Sequence, residues 1–181
     1  MRHYFIIFAL GLISACSSSP EIHSYQLVES KSSQATPTNG QEFLYVEPVQ
    51  MSPLISGLGL VYQTSETQVV QANNNIWAED IAYQVRRRIT LDLRGLQHNY
   101  WPQQLDREPM SLSIHLDKFQ GMYTGDSVVS GQWVLKKQGG VVKVQPFSIQ
   151  VALSSEGGYQ AQVEALSQGI SLLSQQIAES L

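Results

Sequence analysis

Apolar positions recur along this chain with two distinct periods, and they predict its elements. Ile81, Val85, Ile89, Leu93 and Leu96 fall three or four residues apart, which is one stripe of an amphipathic helix over about Ala78–Leu96. Glu79 and Asp80 suit its first turn, and Pro102 forbids continuation. Val163, Leu166, Ile170, Leu173 and Ile177 predict a second helix over Tyr159 to about Ser180. Gly169 in its middle weakens it by ~1 kcal/mol relative to alanine.

Strict alternation marks strands. Met110, Leu112, Ile114 and Leu116 alternate with Ser111, Ser113, His115 and Asp117, the pattern of a half-buried strand. Ser127–Lys137 places Val129, Gly131, Trp133 and Leu135 on one face. Gly139-Gly140 makes a tight turn into a return strand over Val141–Ser155, where Pro146 requires an edge or a bulge. Upstream, Tyr25–Val28 and Phe43–Val49 read as strands, the second interior and ended by Pro48. Leu60–Thr64 and Thr67–Ala72 read as a hairpin around Ser65-Glu66. Asn73-Asn74-Asn75 reads as a turn and cap. Glu29–Gln41, rich in Ser, Thr, Gln, Pro and Gly, reads as a long loop. Two one-sided helices and these strands predict a single α+β domain: a mixed, largely antiparallel sheet with two amphipathic helices packed on it.

The N-terminus stands apart from this pattern. Arg2 and His3 precede an apolar run from Tyr4 to Ile13 that ends in Ser14-Ala15-Cys16. The run is about 12 or 13 residues long, short of the ~20 that span a bilayer. A basic start, a short apolar core and small residues before a cut describe a secretory signal. A plain signal peptide with an incidental cysteine, or an N-terminal membrane anchor, are the alternatives. Cys16 is the only cysteine, so disulfides cannot support the fold. The arrangement resembles the bacterial lipobox, in which the cysteine receives diacylglyceryl and N-acyl lipid and becomes the first mature residue. The chain then divides into a signal peptide (1–15), a lipidated tether (16–23) and one domain (24–181). Ser17 follows the cysteine. In Gram-negative lipoproteins an aspartate there favours inner-membrane retention, so the resemblance implies outward sorting.

Composition narrows the function. Of 181 residues, 43% are hydrophobic and 14% charged, a globular balance. Loss of Arg2 with the signal takes the net charge from −4 to about −5, which argues against nucleic acid as a partner. No metal is expected, because histidines and carboxylates lack zinc-ligand spacing, and no cofactor beyond the lipid on Cys16. Gly57-x-Gly59 lacks the third glycine of a dinucleotide site. Gly125-Asp126-Ser127 resembles the start of an esterase motif, but a serine nucleophile needs a nearby histidine and carboxylate. His98 and His115 are the only domain histidines outside the tether and signal. An ordinary turn is the favoured reading there, and the domain is expected to have no catalytic residues. Arg86-Arg87-Arg88 span about 300° of a helix. They are either a solvated face paired with Asp80, Asp92 or Gln84, or a contact for lipid headgroups or an acidic partner. Pro53-Leu54-Ile55 with Trp77 is a candidate exposed patch for a partner, with Tyr123 a further candidate; for the aromatics a core role is the default.

Several segments together resemble a known family. Tyr25-Gln26-Leu27, Gly59–Ser65, Asn73–Ala78 and Gly121-x-Tyr123-x-Gly125 running into Val129–Leu135, downstream of Cys16, are similar to the PqiC/YmbA lipoproteins. These are auxiliary components of a paraquat-inducible envelope transport system. The resemblance covers nearly the whole mature chain, except Glu29–Gln41 and Gln97–Glu108. It implies a non-enzymatic outer-membrane lipoprotein facing the periplasm. The implied partner is a periplasm-spanning protein of the mammalian-cell-entry (MCE) type. The implied task is lipid movement between membranes in support of envelope integrity, with assembly as a homo-oligomer, possibly a ring. Two alternatives stand beside it: a lipid carrier with its own acyl pocket, and an envelope esterase using Ser127.

Overall fold

A computed structural model describes residues 20–29, 36–97, 99–104, 110–138 and 140–181. Cys16 and the first half of the tether, residues 16–19, lie outside these residues. The elements are β1 (His23–Tyr25), β2 (Glu42–Val46), β3 (Gln50–Met51), β4 (Gly59–Gln63), β5 (Val69–Trp77), α1 (Ile81–Leu96), β6 (Tyr100–Gln103), β7 (Met110–Met122), β8 (Asp126–Lys137), β9 (Gly140–Ala152) and α2 (Gly158–Ala178).

One strand organises the sheet. Along one edge β7 pairs antiparallel with β8, and β8 pairs with β9. The other edge of β7 is shared by three short parallel strands in succession: β2 at Met110–Leu112, β3 at His115–Leu116 and β4 at Gly121–Met122. Outside β2 lies β6, and outside β4 lie β5 and then β1. The long pairings are antiparallel and the short ones mostly parallel, giving the mixed open sheet that the pattern predicts.

Alternation explains which face is covered. Met110, Leu112, Ile114 and Leu116 are buried, as are Val129, Trp133 and Leu135 of β8. The strand β7 runs on past Asp117, where the sequence pattern stops. Past a register shift between Leu116 and Lys118, Phe119, Gln120 and Gly121 are all buried, and Gln120 Nε2 donates to Gln63 Oε1 at 3.1 Å.

Each helix stripe lies against this face. In α1, Ile81, Val85, Ile89 and Leu93 are buried, whereas Leu96 is exposed. Asp80 is the N-cap, its carboxylate accepting the Tyr83 N–H at 2.8 Å. In α2, all five predicted stripe residues are buried. Gly169 has a packing role: a Cβ there would lie 2.7 Å from Val129 Cγ2, so its absence lets the helix approach β8.

Three expectations are corrected. Asn73–Asn75 do not turn or cap but run within β5. Asn75 pairs with His23 of β1, opposite an irregularity in the β4–β5 register, and Tyr25 Oη donates to Asn75 Oδ1 at 3.1 Å. The first strand is His23–Tyr25, not Tyr25–Val28; beyond it the Leu27 and Val28 N–H groups donate to Gln84 Oε1 and Ser167 Oγ of the helices. The strand β6 was not predicted because it contains Pro102. As the outermost strand beside β2, it has an edge on which a missing N–H is tolerated. Pro146 occupies the other long edge strand, β9, as its sequence requires.

Candidate functional site

The residues singled out in the sequence scatter over the molecule. Ile55 and Trp77 are core residues, 2% and 4% exposed. The Trp77 ring lies 5.9 Å from that of Phe119, and its backbone N–H donates to Leu58 O at 2.7 Å. This corrects the expected exposed patch of Pro53-Leu54-Ile55 with Trp77: only Pro53 and Leu54 face solvent. The residue fixing this inward placement is Ile55, whose N–H closes a turn onto Ser52 O. Tyr123 is 45% exposed, in the Met122–Gly125 turn closed by Gly125 N–H to Met122 O at 3.1 Å. That turn lies at the Tyr62 end of β4, whereas Trp77 lies beside its Gly59 end.

The three arginines diverge, as their helical spacing demands. Arg86 donates to Val46 O and to Gln104 O, both at 2.8 Å, and lies over the Tyr45 ring at 5.6 Å. It fastens α1 to the ends of β2 and β6. Arg88 pairs with Asp92 at 3.0 Å, donates to Ser171 Oγ at 2.6 Å and reaches Val28 O. It joins α1, α2 and the segment after β1. Arg87 alone faces outward, in a surface pair with Glu79 at 2.9 Å. Thus two of the three hold elements together, Arg88 partly through the Asp92 pairing that its spacing offers, and they do not form one solvated face.

Ser127 is 1% exposed, and its Oγ donates to Gln162 O at 3.4 Å. His115 pairs with Asp117 at 3.3 Å on the polar side of β7, away from Ser127. No group of His, Cys, Asp and Glu among the described residues could hold a metal. No described helix is long and apolar enough to cross a membrane.

What the fold does assemble is a cavity. At the end of the sheet where β4 and β7 finish and β8 begins, Tyr62, Leu153, Gly157, Gly158, Tyr159 and Gln162 enclose about 360 Å³. None of these side chains carries a charge. The Gln162 amide is buried and donates to Val61 O at 2.8 Å. Gly157 and Gly158, both at positive φ, turn the chain from β9 into α2 and leave the mouth open. Along the sequence the Gly157-Gly158 pair reads only as a break between strand and helix. The lining comes from β4, the loop after β9 and the first turn of α2, so no local period could have revealed it. A second, more polar groove of about 460 Å³ lies at the opposite end of α2, beside Trp133 and Gln145–Ser148. The buried Trp133 N–H there has no partner among the described residues.

A single α+β domain with both helices packed against one mixed sheet, and an uncharged cavity at one sheet end, defines a class but not a task. Comparison with known proteins narrows it. The family described as ABC-type transport auxiliary lipoprotein component matches residues 25–178, and the chain belongs to that family. It is 34% identical over 172 residues to the intermembrane transport lipoprotein PqiC of Escherichia coli (strain K12), covering 92% of this chain and 90% of that one. The Shigella flexneri protein of the same name gives the same figures. A crystal structure titled only as an uncharacterized protein superposes with a TM-score of 0.77 at 31% identity, over 89% of this chain and 99% of the other. Protein XCC0632 from Xanthomonas campestris shares the fold, with a TM-score of 0.68 at 14% identity over 88% and 93% of the two chains.

Proposed function

We propose that this protein is a non-enzymatic outer-membrane lipoprotein, anchored through Cys16, that serves as a subunit of an intermembrane lipid transport system. Its partner in this reading is a periplasm-spanning MCE-type protein, which it meets as a homo-oligomer. The observation that carries the reading is the likeness to the PqiC lipoproteins over nearly the whole chain, joined to a cysteine placed directly after a signal-like run. The buried setting of Ser127 supports the non-enzymatic part: a nucleophile must reach its substrate and an adjacent base, and this hydroxyl faces a backbone carbonyl.

The experiment has two arms. Cells fed radiolabelled palmitate are expected to label the wild-type protein in outer-membrane fractions, and Cys16→Ala is expected to lose both label and fractionation. Affinity purification of the wild type is expected to bring down an MCE-type protein. Unlabelled wild-type protein, or a monomer that never retains such a partner, would overturn the reading.

A further inference from the structure

The strand directions bring the chain into β1 from the side of the molecule that carries the apolar cavity. The strand β1 runs parallel to β5, with His23 opposite Asn75 and Tyr25 opposite Trp77. The chain preceding His23 therefore arrives from the side on which β5 begins, at Val69. That is also where β4 ends, because β4 and β5 are antiparallel, with Gln63 opposite Val69. From Cys16 to His23 the chain reaches at most about 25 Å. Within this reach of Asn75 lies the β4–β5 hairpin end, roughly 20 Å along β5 at ~3.3 Å per residue.

The same end carries the cavity. Tyr62 pairs with Gly121 at the finish of β7, and Leu153, Gly158 and Tyr159 follow the finish of β9. Exposed apolar side chains gather on it too: Val69, Val70 and Tyr123. The opposite end, with the β8–β9 turn and the C-terminus of α2, has the more polar groove.

Charge selects the occupant. The loops at the cavity end, 64–68, 123–126 and 153–157, contain Glu66, Asp126 and Glu156 and no lysine or arginine. An anionic ligand is disfavoured at such a rim, whereas an ammonium-bearing headgroup is not. The interior is uncharged, and its volume falls in the ~300–1,000 Å³ range of ligand cavities. We infer that the Tyr62–Leu153–Tyr159–Gln162 cavity takes an acyl chain of a zwitterionic phospholipid from the membrane to which the protein is anchored. This rests on the anchored-lipoprotein reading. It adds a lipid site within the subunit itself and an orientation in which the β4–β5 hairpin and the Tyr123 turn face the lipid.

The test uses the full-length lipoprotein incorporated into vesicles of phosphatidylethanolamine and phosphatidylcholine. These carry a phosphatidylethanolamine with a photoreactive acyl chain. After irradiation, adducts are expected on the peptides containing Tyr62 and Leu153–Gln162, and excess unlabelled phosphatidylethanolamine should suppress them. Tyr159→Asp puts a charge in the cavity while suiting a helix first turn. It is expected to reduce this labelling at least about tenfold, whereas Tyr159→Leu retains it. Leu153→Trp, which narrows the cavity without adding charge, is expected to reduce it as well.

Adducts spread evenly over the surface, equal labelling of all variants, or stronger labelling by a phosphatidylglycerol probe would overturn the inference. So would absence of label at these peptides, which is the result if the protein's own acyl chain fills the cavity. Absence of label in protein that still fractionates with membrane and retains its partner defeats the lipid site alone. Loss of fractionation defeats the anchoring.

Discussion

Gly121 and Gln162 meet with no room for a side chain between them. A Cβ on Gly121 would lie 2.8 Å from Gln162 Oε1 and 2.7 Å from Tyr62 Cδ2. The glycine thus seats the inner wall of the cavity, where Gln162 spans from α2 to Val61 O. Gly121→Ala should displace the Tyr62 ring and cost about 1–3 kcal/mol, read as a lower urea midpoint. Wild-type stability in this variant would show that the wall yields freely.

A harder constraint exists where β8 crosses β7. A Cβ on Gly131 would lie 2.0 Å from the carbonyl oxygen of His115, which is backbone within the sheet and cannot swing away. The site stands opposite Leu116, at the register shift between Leu116 and Lys118. Gly131→Ala should therefore destabilise more than Gly121→Ala, by about 3 kcal/mol or more. Chemical denaturation of the two variants side by side checks the order.

Arg88 and Asp92 form a largely buried pair, with side chains 12% and 10% exposed. Ser174 Oγ donates to the same carboxylate at 3.3 Å. Removing one partner strands the other at the junction of the two helices. Asp92→Ala should cost about 3–5 kcal/mol, and Arg87→Ala, which breaks only a surface pair, under about 1 kcal/mol. A double-mutant cycle on Arg88 and Asp92 is expected to show strong coupling, read as non-additive unfolding free energies.

Glu47 supplies a pH dependence. Burial alone raises its pKa. The Ser111 hydroxyl, donating at 2.7 Å, together with the Lys136 charge and Ser113, outweighs burial and holds the carboxyl below its ordinary 4.5. Folding therefore favours the ionised form. This contribution is fully present above pH 4.5 and is lost as pH falls through the lowered folded-state value. Glu47→Gln should flatten that part of the stability curve, and thermal melts between pH 3 and 6 (roughly the carboxyl range) check it.

The legible part of the fold is the part with a local period. Leu112, Ile114 and Leu116 alternate because a strand turns its side chains every second residue. Val163 to Ile177 recur because a helix does so every 3.6 residues. The candidate site was not legible. Leu153 and Tyr159 flank a glycine pair that reads as punctuation, and Tyr62 is about a hundred residues away in the chain. The short parallel strands were likewise partly hidden. Residues 50–51 and 100–103 become strands only because β7 and β2 offer backbone partners.

By itself the sequence determined the two helix stripes, the β7–β8–β9 alternation, the α+β class and the membership of a lipoprotein family that its motifs resemble. Those features depend on neighbours a few residues apart, and local geometry dictates which side chains share a face. Tertiary structure alone decided that Ile55 and Trp77 turn inward, that Asn73–Asn75 pair as a strand, and that Arg86 and Arg88 fasten elements together while Arg87 faces solvent. It also decided that the cavity opens on the side from which the chain enters β1. Each of those outcomes depends on which backbone group or side chain, distant in sequence, is brought within hydrogen-bonding or packing distance. Only the strand order and register around β7 set those meetings.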